Sequence, residues 1–505
     1  MFYFINEYLL PKNSSVEHSA MDRVKLFNHY QTPAKIVTKM YDRLLHQTLA
    51  TFNLPDEQVL NMFDYFQQAT TVLTQVYHVE ELQLPVEYAV EVGANFSRIF
   101  NGDELVGNVG FIPGTIGRVF YQEFLDNQGN RMATDLWDWR GFKSCTQYFG
   151  QNGKLTMERY YTPAGKIAIE QYFVPDTEGN PLASRLILKD YQDQGDRFFQ
   201  NTTALFNFFI AELSHRDTET TTFINDRPGT GIQPLLQLND DSKKYVMVPI
   251  YHAKTLNDPL HAPLDGFLEP ALDNAPHFDG FITSTNQQAQ HLQTRFSQAK
   301  VTQLPVVATT ALNQSQLVPM SQRAKQLLYV GRLAPDRQID HLIRVVALVK
   351  QQIPTIQFDL YGYGDTAYCE TLTALIDELD LTTNVHLMGY QPDLAQRYTS
   401  YQLLLNAALA NGGPMAMPEA MAQGLPVISY RFNYGPHDFI NDGQDGYIVE
   451  PGDQLAMSTH ITDLLTDEKQ LAKFSAAAFN KLHTDQTYLK VWHQWQQVLG
   501  LKNGG

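Results

Sequence analysis

The sequence predicts an α/β fold of two doubly wound halves, with an antiparallel β-meander inserted into the first. Three observations carry that expectation. Near the N-terminus, and again after residue 327, β-forming runs alternate with helical spacing across short turns, as in βαβ units. Between about Leu84 and Leu188 the texture changes to short β-rich runs separated by glycine turns. From Pro305 to Pro319 no periodicity is legible, so that stretch is the expected linker.

Phe2 to Leu10 reads as a buried strand and Lys12 to His18 as a polar turn. A helix is expected from about His18 to Tyr30, with Met21, Val24, Leu26 and Phe27 as its apolar positions. Pro33 to Thr38 is the next strand, and Asn61 to Gln67 continues with helical spacing. In the insertion, strands are expected at Arg118 to Phe124, Ser144 to Phe149, Leu155 to Tyr161 and Ile167 to Val174. Turns such as Gln151-Asn152-Gly153 and Pro163-Ala164-Gly165 separate them. The α/β pattern resumes near Phe198, with strands at Thr221 to Asn225, Tyr245 to Ile250 and Phe278 to Ser284, then a helix from Asn286 to Phe296. The second half opens with a strand at Leu327 to Arg332 and an amphipathic helix from Ile339 to Gln351. Strands follow at Phe358 to Gly364, Val385 to Gly389 and Gly446 to Val449, and helices run to Leu501.

At 505 residues the chain is too long for one ordinary core. Its 37 Lys and Arg against 54 Asp and Glu give a formal net charge of −17, which argues against a polyanion-binding surface and so against nucleic acid. Cys145 and Cys369 stand far apart, so no disulfide framework is implied and a reducing compartment fits. The opening MFYFINEYLLPKN lacks a basic n-region, and no run of about 18 apolar residues is present. A cytoplasmic location is the expectation. No metal-ligand cluster is visible, and no cofactor is expected.

The chain is organised around Leu403 to Asp438, LLLNAALANGGPMAMPEAMAQGLPVISYRFNYGPHD. An apolar strand leads into Asn411-Gly412-Gly413-Pro414, then a helix carrying Glu419, then Pro426 to Tyr430. In a strand–turn–helix unit of this kind, backbone N–H groups at the helix N-terminus face an anion. Glu419 would meet a ligand held over the turn.

Several motifs occur in order: Gly331-Arg332-Leu333 with Arg337, then Tyr361-Gly362-Tyr363-Gly364, Met388-Gly389-Tyr390, Glu419-Ala420-Met421 and Gly424-Leu425-Pro426-Val427. The series resembles glycosyltransferase family 4, whose nucleotide-sugar motif is E-x7-E and whose fold is GT-B, two Rossmann-like domains about a cleft. Asn433-Tyr434-Gly435-Pro436-His437-Asp438 narrows the resemblance to one branch. That branch holds the poly(glycerol-phosphate) α-glucosyltransferases and poly(ribitol-phosphate) GlcNAc transferases of wall teichoic acid, and the two-component O-glycosyltransferases of serine-rich surface proteins. The inserted meander is also typical of it.

The resemblance implies a retaining enzyme that moves glucose or N-acetylglucosamine from a UDP-sugar to a teichoic acid or surface-protein hydroxyl. Arg332 and Arg337 would neutralise the donor diphosphate, and Glu419 would hold the ribose hydroxyls. His252 would lie near the sugar, although a lone histidine after a strand is equally a structural residue. Gly412 and Gly413 would border the donor. The sequence departs from the pattern at Asn411, where the first glutamate is expected, at Pro414, which has no N–H to offer a phosphate, and at Ser15, where the branch has glycine. These departures keep a second expectation open: a non-catalytic partner subunit of a related O-glycosyltransferase. The expected domains are 1–315, with the insertion at about 84–188, then 316–485, and a C-terminal helix over 486–505 that could cross back to the first domain.

Overall fold

The computed structural model describes residues 1–216, 220–310, 312, 314–324 and 326–501, so positions 311 and 313 of the expected linker and the tail 502–505 lie outside the described residues. The first domain holds a seven-stranded parallel sheet in the order Val301–Gln303, Gly280–Thr283, Lys243–Met247, Thr222–Asn225, Phe2–Asn6, Ala34–Thr38, Val59–Asn61. The second holds six parallel strands in the order Val385–Gly389, Phe358–Tyr361, Leu327–Val330, Leu403–Asn406, Val427–Tyr430, Gly446–Val449. Phe2–Asn6 and Leu403–Asn406 are buried along their whole length, as strands covered by helices on both faces must be. The helix Ile339–Lys350 shows how one covering face is built. Ile339, Leu342, Ile343, Val346 and Val349 recur at helical spacing and enter the core of the second domain.

Two boundaries near the N-terminus differ from the sequence expectation. The first strand ends at Asn6, and the first helix begins at Ser15 instead of about His18. Local chemistry sets that start. Ser14 accepts from the Val16 N–H, and the Glu17 carboxylate reaches back to the Ser14 N–H at 2.9 Å, a capping box.

The insertion is a ten-stranded antiparallel sheet whose strands follow chain order from Tyr88–Glu91 to Arg197–Phe199, so it continues past Leu188. Gly129 (φ 80°) and Gly153 (φ 69°) occupy the left-handed positions of two of its hairpin turns. A buried ionic network mounts the sheet on the first domain. Arg140 donates to Asp138 at 2.8 Å and to Asp64 at 2.7 Å, while His46 lies between Asp64 (2.9 Å) and Asp56 (3.0 Å).

The chain crosses between the domains twice. After the second crossing, the helix Tyr488–Leu499 packs on the first domain, where Trp492 stacks on Tyr30 at 5.1 Å and Trp495 meets Phe27. Thr309 and Thr487 bridge the two crossings side by side. Among the described residues, no helix is long and apolar enough to cross a membrane.

Candidate functional site

In a doubly wound sheet, ligands bind beyond the carboxyl ends of the strands where the strand order reverses. In the second domain that point lies between Leu327–Val330 and Leu403–Asn406, whose ends lead to Gly331-Arg332 and to Asn411. In the first domain it lies between Phe2–Asn6 and Thr222–Asn225, and the loop after Phe2–Asn6 delivers Asn13 to Ser15. A cavity of about 670 Å³ separates these two points and is lined from both sides.

Ser15, Arg332, Arg337, Asn411 and Glu419 all line this cavity. The N-terminal turn of the helix Ser15–His29 opens onto it, so the positive end of a helix dipole and the two arginines border the same space. Arg332 is exposed, and its Nη2 lies 3.0 Å from Asp336. The same carboxylate is 3.4 Å from Nε of Arg337, whose Nη1 donates to the Ala410 carbonyl at 3.1 Å. Asp336 therefore gathers both cations at one wall, and Arg337 ties that wall to the loop of Asn411.

Glu419 projects from the helix Ala416–Ala422 and accepts from the Tyr398 hydroxyl at 2.8 Å. Burial pushes its carboxyl up to about 7. The Tyr398 hydrogen bond opposes that rise, while the charges of Asp22 and Asp393 add to it. At neutral pH this group sits at the balance between acid and carboxylate, ready to accept hydroxyl hydrogen bonds from a ligand that favours the charged form. Asn411 uses its carboxamide oxygen to accept from the Gly413 N–H at 3.1 Å. Its backbone pairs in both directions with Asn433 and Tyr434.

Gly412, Gly413 and His252 are not among the residues lining the cavity. Gly412 and Gly413 stand at the seam between the domains, because a Cβ on Gly412 would overlap the Pro249–Ile250 backbone and one on Gly413 would overlap Ser284. Pro414 does line the cavity, and it packs closely enough on Gly435 that a Cβ there would collide with its ring. His252 is fully buried behind this seam, with Nε2 2.9 Å from the Pro259 carbonyl and its ring stacked on Tyr434. Burial pushes it down to about 4, so it is a neutral imidazole at pH 7.

Sequence reasoning did not single out Asp336, Tyr398 or the role of Tyr390. The Tyr390 hydroxyl spans the cleft, accepting from the Asn13 N–H at 3.2 Å and lying 3.0 Å from Nε2 of His18. Its place after Met388-Gly389 is the signal available, but that it meets Asn13 and His18 follows from packing distant in the chain and is not periodic in the sequence.

Residues 314–481 match the family model for glycosyl transferases group 1, a span that contains Arg332, Arg337, Asn411 and Glu419. Over 98% of its length the chain is 23% identical to 98% of the UDP-N-acetylglucosamine–peptide N-acetylglucosaminyltransferase GtfA subunit of Streptococcus gordonii. It is 24% identical, over 63% of this chain and 64% of the relative, to the poly(ribitol-phosphate) alpha-N-acetylglucosaminyltransferase of Staphylococcus aureus (strain COL). Among solved structures, the pneumococcal O-GlcNAc transferase GtfA in complex with UDP and GlcNAc superposes with a TM-score of 0.85. That match covers 100% of this chain and 99% of that one at 22% identity. The fold is GT-B, with the meander carried on the first domain.

Proposed function

We propose that this chain, whose C-terminal domain is a group 1 glycosyl transferase domain, moves a hexose from a UDP-sugar to a hydroxyl group. The observation that carries the reading is the convergence of Arg332, Arg337 and Glu419 on one wall of the interdomain cavity, which the N-terminus of the helix Ser15–His29 also borders. The arginines and the helix N-terminus supply fixed positive charge for a departing UDP, whose negative charge grows as the sugar leaves. Glu419 accepts the ribose hydroxyls. The reading asks for no metal, since these groups meet the diphosphate charge.

The finer assignment follows the relatives. The donor is UDP-N-acetylglucosamine or UDP-glucose, and the acceptor is a teichoic acid or a serine-rich protein hydroxyl. Transfer proceeds with retention of configuration. The relative described as a subunit supports a paralogous partner chain as well. The two free cysteines suit a cytoplasmic location. Purified protein mixed with each UDP-sugar and with poly(ribitol phosphate), poly(glycerol phosphate) or a serine-rich peptide tests this. Transfer to one acceptor, lost in Glu419→Ala, is expected. Absence of transfer to all of them, with a rise in a co-expressed relative's activity, would favour the non-catalytic partner reading instead.

A further inference from the structure

Tyr434 belongs to the second domain, yet its side chain is fully buried within the first. Its ring lies 5.5 Å from Tyr251 and 5.8 Å from His252, the latter nearly parallel at 9°. Its hydroxyl lies 2.9 Å from Nδ1 of His291, on the helix Asn286–Arg295. Burial raises the phenol and lowers the imidazole, so the contact joins an uncharged hydroxyl to an uncharged ring at neutral pH.

The backbone on either side of this plug is committed to the donor loop. Tyr434 N–H donates to the Asn411 carbonyl at 2.8 Å, and Asn411 N–H donates to the Asn433 carbonyl at 3.0 Å. A few residues on, Asp438 caps the helix Asn286–Arg295 by accepting from the Asn286 N–H at 2.6 Å. Gly412 and Gly413 close the remaining gap by direct approach to Pro249–Ile250 and Ser284.

We infer that Tyr434 is a positioning residue: it anchors the loop of Asn411 to the first domain and so fixes where that loop stands over the bound donor sugar. This rests on the donor reading given above. The physical argument is one of precision. The 411–414 loop lies at the end of a strand with no side chain at Gly412 or Gly413 to hold it, and a misplacement of about 1 Å near reacting atoms lowers rates by about 10²-fold. An aromatic plug seated in another domain supplies rigidity that the loop's own residues lack. UDP, on that reading, meets Arg332, Arg337 and Glu419, none of which touches Tyr434; only Arg337 is linked to the loop, through the Ala410 carbonyl, so nucleotide affinity should depend on the plug far less than turnover does.

The test uses the full chain and three variants, Tyr434→Phe, Tyr434→Ala and His291→Leu. Three readouts are taken: amide hydrogen exchange at Asn411 and Gly413, kcat for UDP-N-acetylglucosamine or UDP-glucose turnover, and UDP affinity. Tyr434→Ala should speed exchange at both amides by about tenfold or more and lower kcat by about 10²-fold, with UDP affinity within about twofold of wild type. Tyr434→Phe keeps the ring and should lose much less, with His291→Leu matching it. Unchanged exchange in Tyr434→Ala, or an equal loss of UDP affinity and kcat, would overturn the inference. Wild type that neither binds UDP nor turns over a UDP-sugar would instead remove the donor reading. The exchange result would then still decide whether the anchor exists.

Discussion

The Tyr398 hydroxyl donates to Glu419 at 2.8 Å inside the wall of the interdomain cavity. This pairing stabilises the charged form of a carboxyl that burial otherwise drives up, to about 7. If Glu419 accepts ribose hydroxyls, a proton must leave it first. Affinity for UDP-glucose, whose diphosphate has no proton to lose in this range, should therefore rise between about pH 6 and 8. Glu419→Gln should flatten that dependence, and Tyr398→Phe should shift its midpoint upward. Calorimetric titration at three pH values decides it, and a flat wild-type profile would count against the ribose role.

Arg332 is held by Asp336 at 3.0 Å. On the donor reading, replacing it with alanine would remove one charge-assisted contact to UDP. The expected loss of UDP affinity is about 1.5–3 kcal/mol. Asp336→Asn should weaken UDP less than Arg332→Ala does, since it frees both arginines while loosening their placement. Unchanged affinity in Arg332→Ala would remove the pocket assignment.

The ionic network under the meander makes a stability prediction with a definite sign. Burial alone would lower His46, but its hydrogen bond and charge contact with Asp64 raise it overall; burial would raise Asp64, but His46 and Arg140 lower it overall. The His46 contribution is complete below the ordinary histidine value and is lost as pH rises through the folded value. That of Asp64 is complete above the ordinary carboxylate value and is lost as pH falls through the folded one. The network should thus stabilise most between about pH 4 and 6.5. Melting curves of wild type and His46→Gln should differ most in that window, and the difference should shrink as pH rises through the raised His46 value. Arg140→Ala leaves Asp64 and Asp138 without their buried cation and should cost about 3–5 kcal/mol.

Asn411 is the site of a gain-of-function test. A glutamate there would place a carboxylate beside the donor, where a positioned charge commonly changes rates by about 10²-fold or more. Asn411→Glu should raise turnover of a slow transferase. It should create none in a partner subunit, where Pro414 still lacks an N–H.

Both parallel sheets and the meander were legible in the sequence because each follows from local periodicity. The strands at Leu155–Tyr161, Val385–Gly389 and Gly446–Val449 were read to the residue, since turn glycines or apolar alternation bound them. The start of the first helix lies earlier than the apolar pattern predicts because Ser14 and Glu17, polar residues before that pattern, have the spacing of a capping box. Motif order singles out Arg332, Arg337 and Glu419, and the fold brings all three to the lining of one cavity. The seam was not legible in this way. Gly412 and Gly413 look alike whether they border a phosphate or another domain, and only the packing against Pro249 and Ser284 separates the two. His252 likewise reads the same in sequence whether it faces a ligand or stacks on Tyr434.

The central claim is that the interdomain cavity is a UDP-sugar donor site, and titration of the purified chain with UDP tests it most directly. The account predicts saturable one-to-one binding that Arg332→Ala and Glu419→Ala each weaken and that Tyr434→Phe leaves unchanged. Heat no greater than dilution up to millimolar UDP, or binding indifferent to both Arg332→Ala and Glu419→Ala, would contradict it.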